Sequence, residues 1–431
     1  MQRRHFLRHA VTGSTALGAG TLAMRAMADD RPAKSAANLG KVEHCVMLWL
    51  GGGMSQIDTF DPKSMGDARQ RKPGSYYPSI ETSVDGVRVC QHLSQTARRM
   101  EHVTAIRTVH HDVVDEHAAA TNRMHTGRTT SGTVTYPSLG SIIAHCCGSA
   151  DEKVPAYVLL GYPNITRGPG FLGPSAGFIY TTDLKRGPAG LARRSEIDRA
   201  RFQRRRDLLQ QVRTEGKARF AGDERFAAYD QAIEDSLRLG GPEFMSVFDL
   251  NAESAELRNR YQSDFGQRCL MARRLFQRGV RFVEISYSDN FKNGTGWDTH
   301  NQGQLNQHLL IEDLDAALAT LIDDLQQHKM LDKTLIMINS EFGRPAAFDS
   351  GGGRGHHSKC FTCVLAGGGL NHRGAIGVSD ALAQTPITQP FSVADLFATV
   401  LASMGIEPNQ ILHDGDRPVP VTDGGKPISD L

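Results

Sequence analysis

The chain has 431 residues, 39% of them apolar, with 49 basic and 47 acidic side chains. That length and apolar share allow a large core in one to three domains, and the near balance of charge argues against a nucleic-acid partner. No run of about 18 apolar residues occurs, so no membrane-spanning helix is expected.

The N-terminus reads as a targeting segment. Arg3-Arg4-His5-Phe6-Leu7-Arg8 precedes a mild stretch, Ala10 to Met24, and then Ala26-Met27-Ala28. Paired arginines, a weakly apolar core and an A-x-A site, in that order, resemble a twin-arginine export signal. Residues 1–28 are expected to be removed and residues 29–40 to form a polar leader. Residues 41–431 are then one exported domain, periplasmic or secreted. Without the four arginines of the signal, 45 basic residues face 47 acidic ones.

Cys45 to Leu50 is short and wholly apolar, as a central parallel strand is. It runs into Gly51-Gly52-Gly53 and the oxygen-bearing Ser55, Asp58 and Asp61. Helical spacing follows from Leu93 to Met100, and Val103 to Ile106 reads as a strand. Beyond it, His110, His111, Asp112, Asp115, Glu116 and His117 crowd imidazoles and carboxylates together, which suits metal ligation or proton transfer. Pro137 opens a helix reaching His145, and Val154 to Leu160 is a strand.

Residues 185–278 are charged and helical in pattern. The Arg201 to Arg206 run, bordered by acids, reads as a solvated helix face. Val280 to Ile285 returns to strand. Asp298 and His300, two residues apart, point the same way on an extended segment. Leu310, Leu314, Ala317, Leu318, Leu321 and Leu325 mark an amphipathic helix. The strand Thr334 to Ser340 ends on Glu341, and Arg354, His356 and His357 follow a glycine run. The strand Phe361 to Ala366 and the helix Val393 to Met404 complete the pattern. Strand alternating with helix predicts an α/β fold: a mostly parallel central sheet with helices on both faces and a helical inserted region.

Seven cysteines, an odd number, argue against a disulfide scaffold. Cys360 and Cys363 have redox spacing but sit in a strand-like run, and read as buried thiols.

Several stretches resemble one bacterial family. They are Leu50-Gly51-Gly52-Gly53 through Asp58 to Lys63, Trp297-Asp298-Thr299-His300, Ser340-Glu341-Phe342-Gly343-Arg344 and Leu365-Ala366-Gly367-Gly368-Gly369. The family is domain of unknown function 1501, whose members carry export signals and which is similar to the alkaline phosphatase and sulfatase superfamily. In sulfatases the corresponding strand leads to Ser-Asp-His-Gly, so the resemblance sets Glu341 at the acid and Phe342 at the imidazole. No Cys-x-Pro-Ser-Arg occurs, which removes formylglycine chemistry.

The expectation that follows is an exported, metal-dependent hydrolase of sulfate, phosphate or related esters. Asp58, Asp298, His300, Glu341, His356 and His357 are its candidate ligands for a divalent zinc, calcium or manganese ion. His117 or His111 is the candidate acid or base, Ser55 a candidate catalytic hydroxyl, and Arg354 or Arg128 the anion clamp. The expected partner is a small anionic, sulfated or phosphorylated substrate. The alternative is an inactive, sulfatase-like binding or assembly partner of another exported protein.

Overall fold

The computed structural model describes residues 40–163, 165–189, 191, 197–239, 242–287 and 296–431. The expected signal and most of the leader lie outside these residues. No helix among them is long and apolar enough to cross a membrane.

Thirteen strands are described in chain order: β1 His44–Trp49, β2 Ser79–Glu81, β3 Arg88–Cys90, β4 Val103–His110, β5 Tyr157–Leu160, β6 Ile179–Thr181, β7 Phe282–Ser286, β8 Thr334–Asn339, β9 Phe361–Gly367, β10 Gly374–Ile376, β11 Phe391–Ser392, β12 Ile411–Asp414 and β13 Arg417–Pro420. Nine of them form one sheet in the order β10-β4-β9-β8-β1-β7-β5-β6, with β11 beside β4. Every pairing in it is parallel except the two made by β9. The remaining four strands make two small hairpins.

The period-two alternation of β1 explains the layers. Val46 and Leu48 face one core, shared with the helices Asp264–Phe276 and His308–Gln327. Cys45, Met47 and Trp49 face the other, shared with Leu139–Cys147 and Val393–Ser403. A strand buried on both faces is apolar along its length, and β1 is so from Cys45 to Trp49, while His44 at its start gives Nδ1 to Val280 O.

The helical region contains Arg199–Arg219, Glu224–Leu239, Pro242–Met245, Ala255–Tyr261 and Asp264–Phe276. Pro137 stands just before its helix, whose cap is Ser138. The helix His117–Thr126 is not evident from apolar spacing. Local chemistry makes it: the Glu116 carboxylate accepts the Ala118 and Ala119 N–H groups at 2.8 and 2.7 Å, three alanines follow, and left-handed Gly127 ends it.

Register decides where the chemistry goes. Trp49 pairs with Asn339 and Ser286 with Trp49, so β1, β7 and β8 finish at one edge. Antiparallel β9 begins at that edge, where Val109 of β4 meets Phe361. Four strand ends and one strand start therefore deliver five connecting segments to one place, as open α/β sheets do for ligands.

Candidate metal centre

Three imidazoles and a carboxylate meet there. His117, Asp298, His300 and His356 each offer one donor atom within 4.8 Å of the others. His300 Nε2 lies 3.0 Å from His356 Nε2. The Asp298 carboxylate sits among the rings, 3.2 Å from His300 Nε2, 3.7 Å from His117 Nε2 and 3.9 Å from His356 Nε2. Donors around a four-coordinate ion with bonds of about 2.0–2.2 Å lie about 3.3–3.6 Å apart, so these separations bracket what a small divalent cation needs.

The four donors come from three connections. His117 opens the helix after β4. Asp298 and His300 follow β7, anchored by Trp297, whose ring is fully buried against Tyr287. His356 precedes β9. Gly52, with φ +125°, lets the Gly51–Gly53 turn pass Asp298, since a Cβ there would lie 2.5 Å from the Asp298 nitrogen.

The far side of two rings is held by carboxylates. Glu341 Oε1 accepts from His117 Nδ1 at 2.8 Å and from the Gly52 N–H at 2.8 Å. Asp115 Oδ1 is 2.6 Å from His356 Nδ1. Protons held at Nδ1 leave the Nε2 lone pairs facing the cluster, the arrangement found behind metal-bound histidines. His117 Nε2 is buried and has no hydrogen-bond partner among the described residues. A buried polar atom left so is costly, and a cation would satisfy it.

Charge follows the same geometry. The hydrogen bond to Glu341 raises the His117 pKa above its ordinary value, against the opposing effect of burial. Burial lowers the His356 pKa, with Asp115 opposing. The fully buried Arg344 guanidinium donates to Asp298 Oδ1 at 2.6 Å, to Gly53 O at 3.1 Å, and to Gly52 O, and its Nη1 lies 3.4 Å from His300 Nε2. Phe342 fills the wall between His117 and His356, with ring centroids 4.9 and 4.5 Å away.

Other sequence candidates lie elsewhere or have their polar atoms engaged by other partners. Asp58 is not beside the cluster. Both its oxygens are taken by Arg354 Nε and Nη2, at 2.7 and 3.0 Å, with Ser55 Oγ and the Tyr76 N–H also donating to it. That pairing occupies Arg354, which also donates to three backbone carbonyls, and the Ser55 hydroxyl is spent on Asp58. His111 puts Nε2 on Glu341 O at 2.6 Å and accepts from Val113 N–H, so neither nitrogen is free for acid–base work. His357 spends Nε2 on Gln384 O. Glu341 stands behind His117 rather than among the converging donors. Arg128 is held by Asp423 and Thr422 O. All seven thiols are unpaired, and burial pushes Cys360 up to about 12.

Sequence reading did not put Asp115 or Arg344 in the site. The acid–imidazole crowding before residue 117 was the available signal for Asp115. Nothing in the sequence pairs Arg344 with an aspartate 46 residues earlier.

Comparison with solved structures gives many likenesses, among them three of low identity. The lipoteichoic acid synthase LtaP from Listeria monocytogenes is 11% identical, over 86% of this chain and 73% of that one, with a TM-score of 0.40. The PsFucS1 sulfatase from Pseudoalteromonas sp. is 12% identical over 86% and 69%, with 0.37. The alkaline phosphatase from the Antarctic bacterium TAB5 is 12% identical over 86% and 99%, also with 0.37. Scores of this size carry no argument about activity. No curated protein matches the sequence. The family described as "Protein of unknown function (DUF1501)" matches residues 42–431, nearly the whole chain, and the chain belongs to that family.

Proposed function

We propose that the protein is an exported, metal-dependent hydrolase of sulfate, phosphate or related esters. One observation carries this reading: three imidazole Nε2 atoms and the Asp298 carboxylate converge at the carboxyl edge of the sheet, with a carboxylate behind two of the rings. The ester class follows the sequence resemblance of the Ser340 to Arg344 segment.

His117, Asp298, His300 and His356 would hold one divalent cation. A nitrogen-rich set favours zinc over the harder calcium and manganese ions. Such an ion, when bound, supplies a Lewis acid for the ester oxygen and lowers the pKa of water. Glu341 and Asp115 keep the Nδ1 protons in place and so hold the rings in the binding tautomer. Phe342 keeps water from the back of both rings. Arg344 lends a buried positive charge beside Asp298.

The test is metal analysis and calorimetry on the full chain, followed by turnover on a panel of sulfate and phosphate esters. Stoichiometric zinc that is lost in His300→Ala and His356→Ala supports the reading. Substoichiometric metal, with affinity unchanged in those variants, sinks it.

One contact favours the second reading, an inactive binding or assembly partner of another exported protein. Arg344 already offers positive charge to Asp298 and reaches His300. In that case no ester is turned over, no metal is retained, and a second exported protein co-purifies.

A further inference from the structure

A pocket of about 360 Å³ lies beside the segment that carries His300, with Gln302 in its lining. Arg69, Arg71, Tyr76, Gln302 and the Gly351-Gly352 backbone line most of it, and no acidic side chain does. The segment ending at Gln302 ties it to the metal centre, none of whose four donors lines it. Gln302 follows His300 by two residues, which limits their Cα separation to about 7 Å. A Cβ on Gly351 would lie 2.7 Å from Asn301 Cα, and one on Gly353 would lie 2.4 Å from the His300 carbonyl carbon.

The nearby acids are turned to backbone N–H groups rather than to the arginines. Asp67 accepts the Arg69 and Gln70 N–H groups, and Asp349 accepts those of Asn301, Gly351 and Gly353. Neither guanidinium makes an ion pair or side-chain hydrogen bond among the described residues. Arg71 is held at φ +53° and Asn301 at φ +55°, in the left-handed region. Asparagine tolerates that region, but arginine pays for it. The strain is kept at the residue that carries the charge. The Tyr76 ring, braced edge-on by Tyr77 at 4.9 Å and Phe348 at 6.1 Å, gives the pocket one flat wall.

We propose that this pocket is a second anion subsite, so that the substrate of the metal centre carries two anionic groups: one at the metal and another, phosphate or sulfate, held by Arg69 and Arg71. Planar guanidinium groups suit such oxyanions by paired N–H donation. The inference rests on the metal-centre reading above, and narrows its substrate class from any anionic ester to a doubly anionic one.

The experiment is calorimetry on the zinc-loaded full chain with a hexose bisphosphate, a hexose bis-sulfate and a hexose monophosphate. The comparison is with the double variant Arg69→Ala/Arg71→Ala, and thermal melting checks that this variant is folded. The wild type should bind a doubly anionic probe about tenfold more tightly than the monophosphate, the combined worth of two exposed ion pairs. The advantage should disappear in the double variant and fall with added salt, while zinc affinity stays unchanged. Preference for the bis-sulfate over the bisphosphate, or the reverse, identifies the group. Equal affinity for mono- and dianionic probes in the wild type overturns the subsite, as does a preference that survives in the double variant, and both leave the metal centre standing. Arginine-dependent binding of the probes in a chain that takes up no zinc keeps the subsite and removes the metal reading.

Discussion

Glu341→Gln isolates the role of a charge that never faces the cluster. The carboxylate accepts from His117 Nδ1 and Gly52 N–H, each at 2.8 Å, and is nearly inaccessible to solvent. Glutamine keeps the size and one acceptor oxygen but removes the charge. Exchanging one charge-assisted hydrogen bond for a neutral one costs about 1–1.5 kcal/mol. If that cost falls on holding His117 in its binding orientation, zinc affinity drops about tenfold. Glu341→Ala also removes the acceptor and frees the ring to turn, so its loss should approach about 100-fold. A counter-effect must be controlled. Glu341 raises the His117 pKa, so removing it weakens proton competition and helps zinc at low pH. Calorimetry at pH 8, well above the ordinary imidazole value, leaves only the orienting effect. At pH 5.5 the two effects oppose and the gap between wild type and Glu341→Gln should narrow. Affinities within twofold for all three proteins at pH 8, with His300→Ala still abolishing binding, would refute the orienting role.

Four further outcomes are expected. Gly52→Ala should abolish zinc binding and cost about 1 kcal/mol or more of stability, because its Cβ meets the Asp298 nitrogen at 2.5 Å and its φ is +125°; Gly132→Ala, with nothing within 4 Å, should change neither in the same calorimetry and urea melts. Stripping the metal with a chelator should lower the melting temperature, and zinc at 100 times its dissociation constant should restore about 2.7 kcal/mol; a melt indifferent to zinc contradicts the centre. Glu284→Gln should cost about 3–5 kcal/mol in urea melts, since this carboxylate in β7 is fully buried with Arg167, His125 at 3.3 Å and Tyr157 at 2.9 Å. Burial alone would raise its pKa, but Arg167 and His125 outweigh it and hold it at about 2. The pair's contribution is therefore complete above the ordinary carboxyl value of 4.5 and is lost as pH falls toward 2, an acid limb that the variant should lack. Finally, Cys360→Ser should leave zinc binding and turnover unchanged, because the thiol is buried and held protonated.

Much of the fold was legible because it is written in short-range patterns. β1 from Cys45 to Trp49 and β8 from Leu335 to Ile338 are unbroken apolar runs, and the helix His308–Gln327 buries Leu310, Leu314, Leu318, Leu321 and Leu325 at helical spacing. These patterns need only a residue and its near neighbours. The helix opened by His117 was missed because its stripe is weak and its ends are made by a cap and a glycine. For the candidate site, sequence gathered the right segments: Asp298 and His300 on one, His356 on another, His117 on a third.

Which of those side chains meet was a tertiary decision. Asp58 and Glu341 are both acids near strand ends in the sequence. One is drawn away by Arg354, 296 residues later, and the other turns behind His117, 224 residues earlier. His356 and His357 are adjacent, yet one ring enters the cluster and the other bonds a backbone carbonyl. By itself the sequence determined six of the nine strands of the main sheet (β1, β4, β5, β7, β8 and β9), the layers and the edge at which polar segments emerge, since burial forces a pattern that can be read locally. Only the tertiary structure decided the donor set. Each buried polar atom must find a partner, and the partners come from segments hundreds of residues apart that only the strand register brings together.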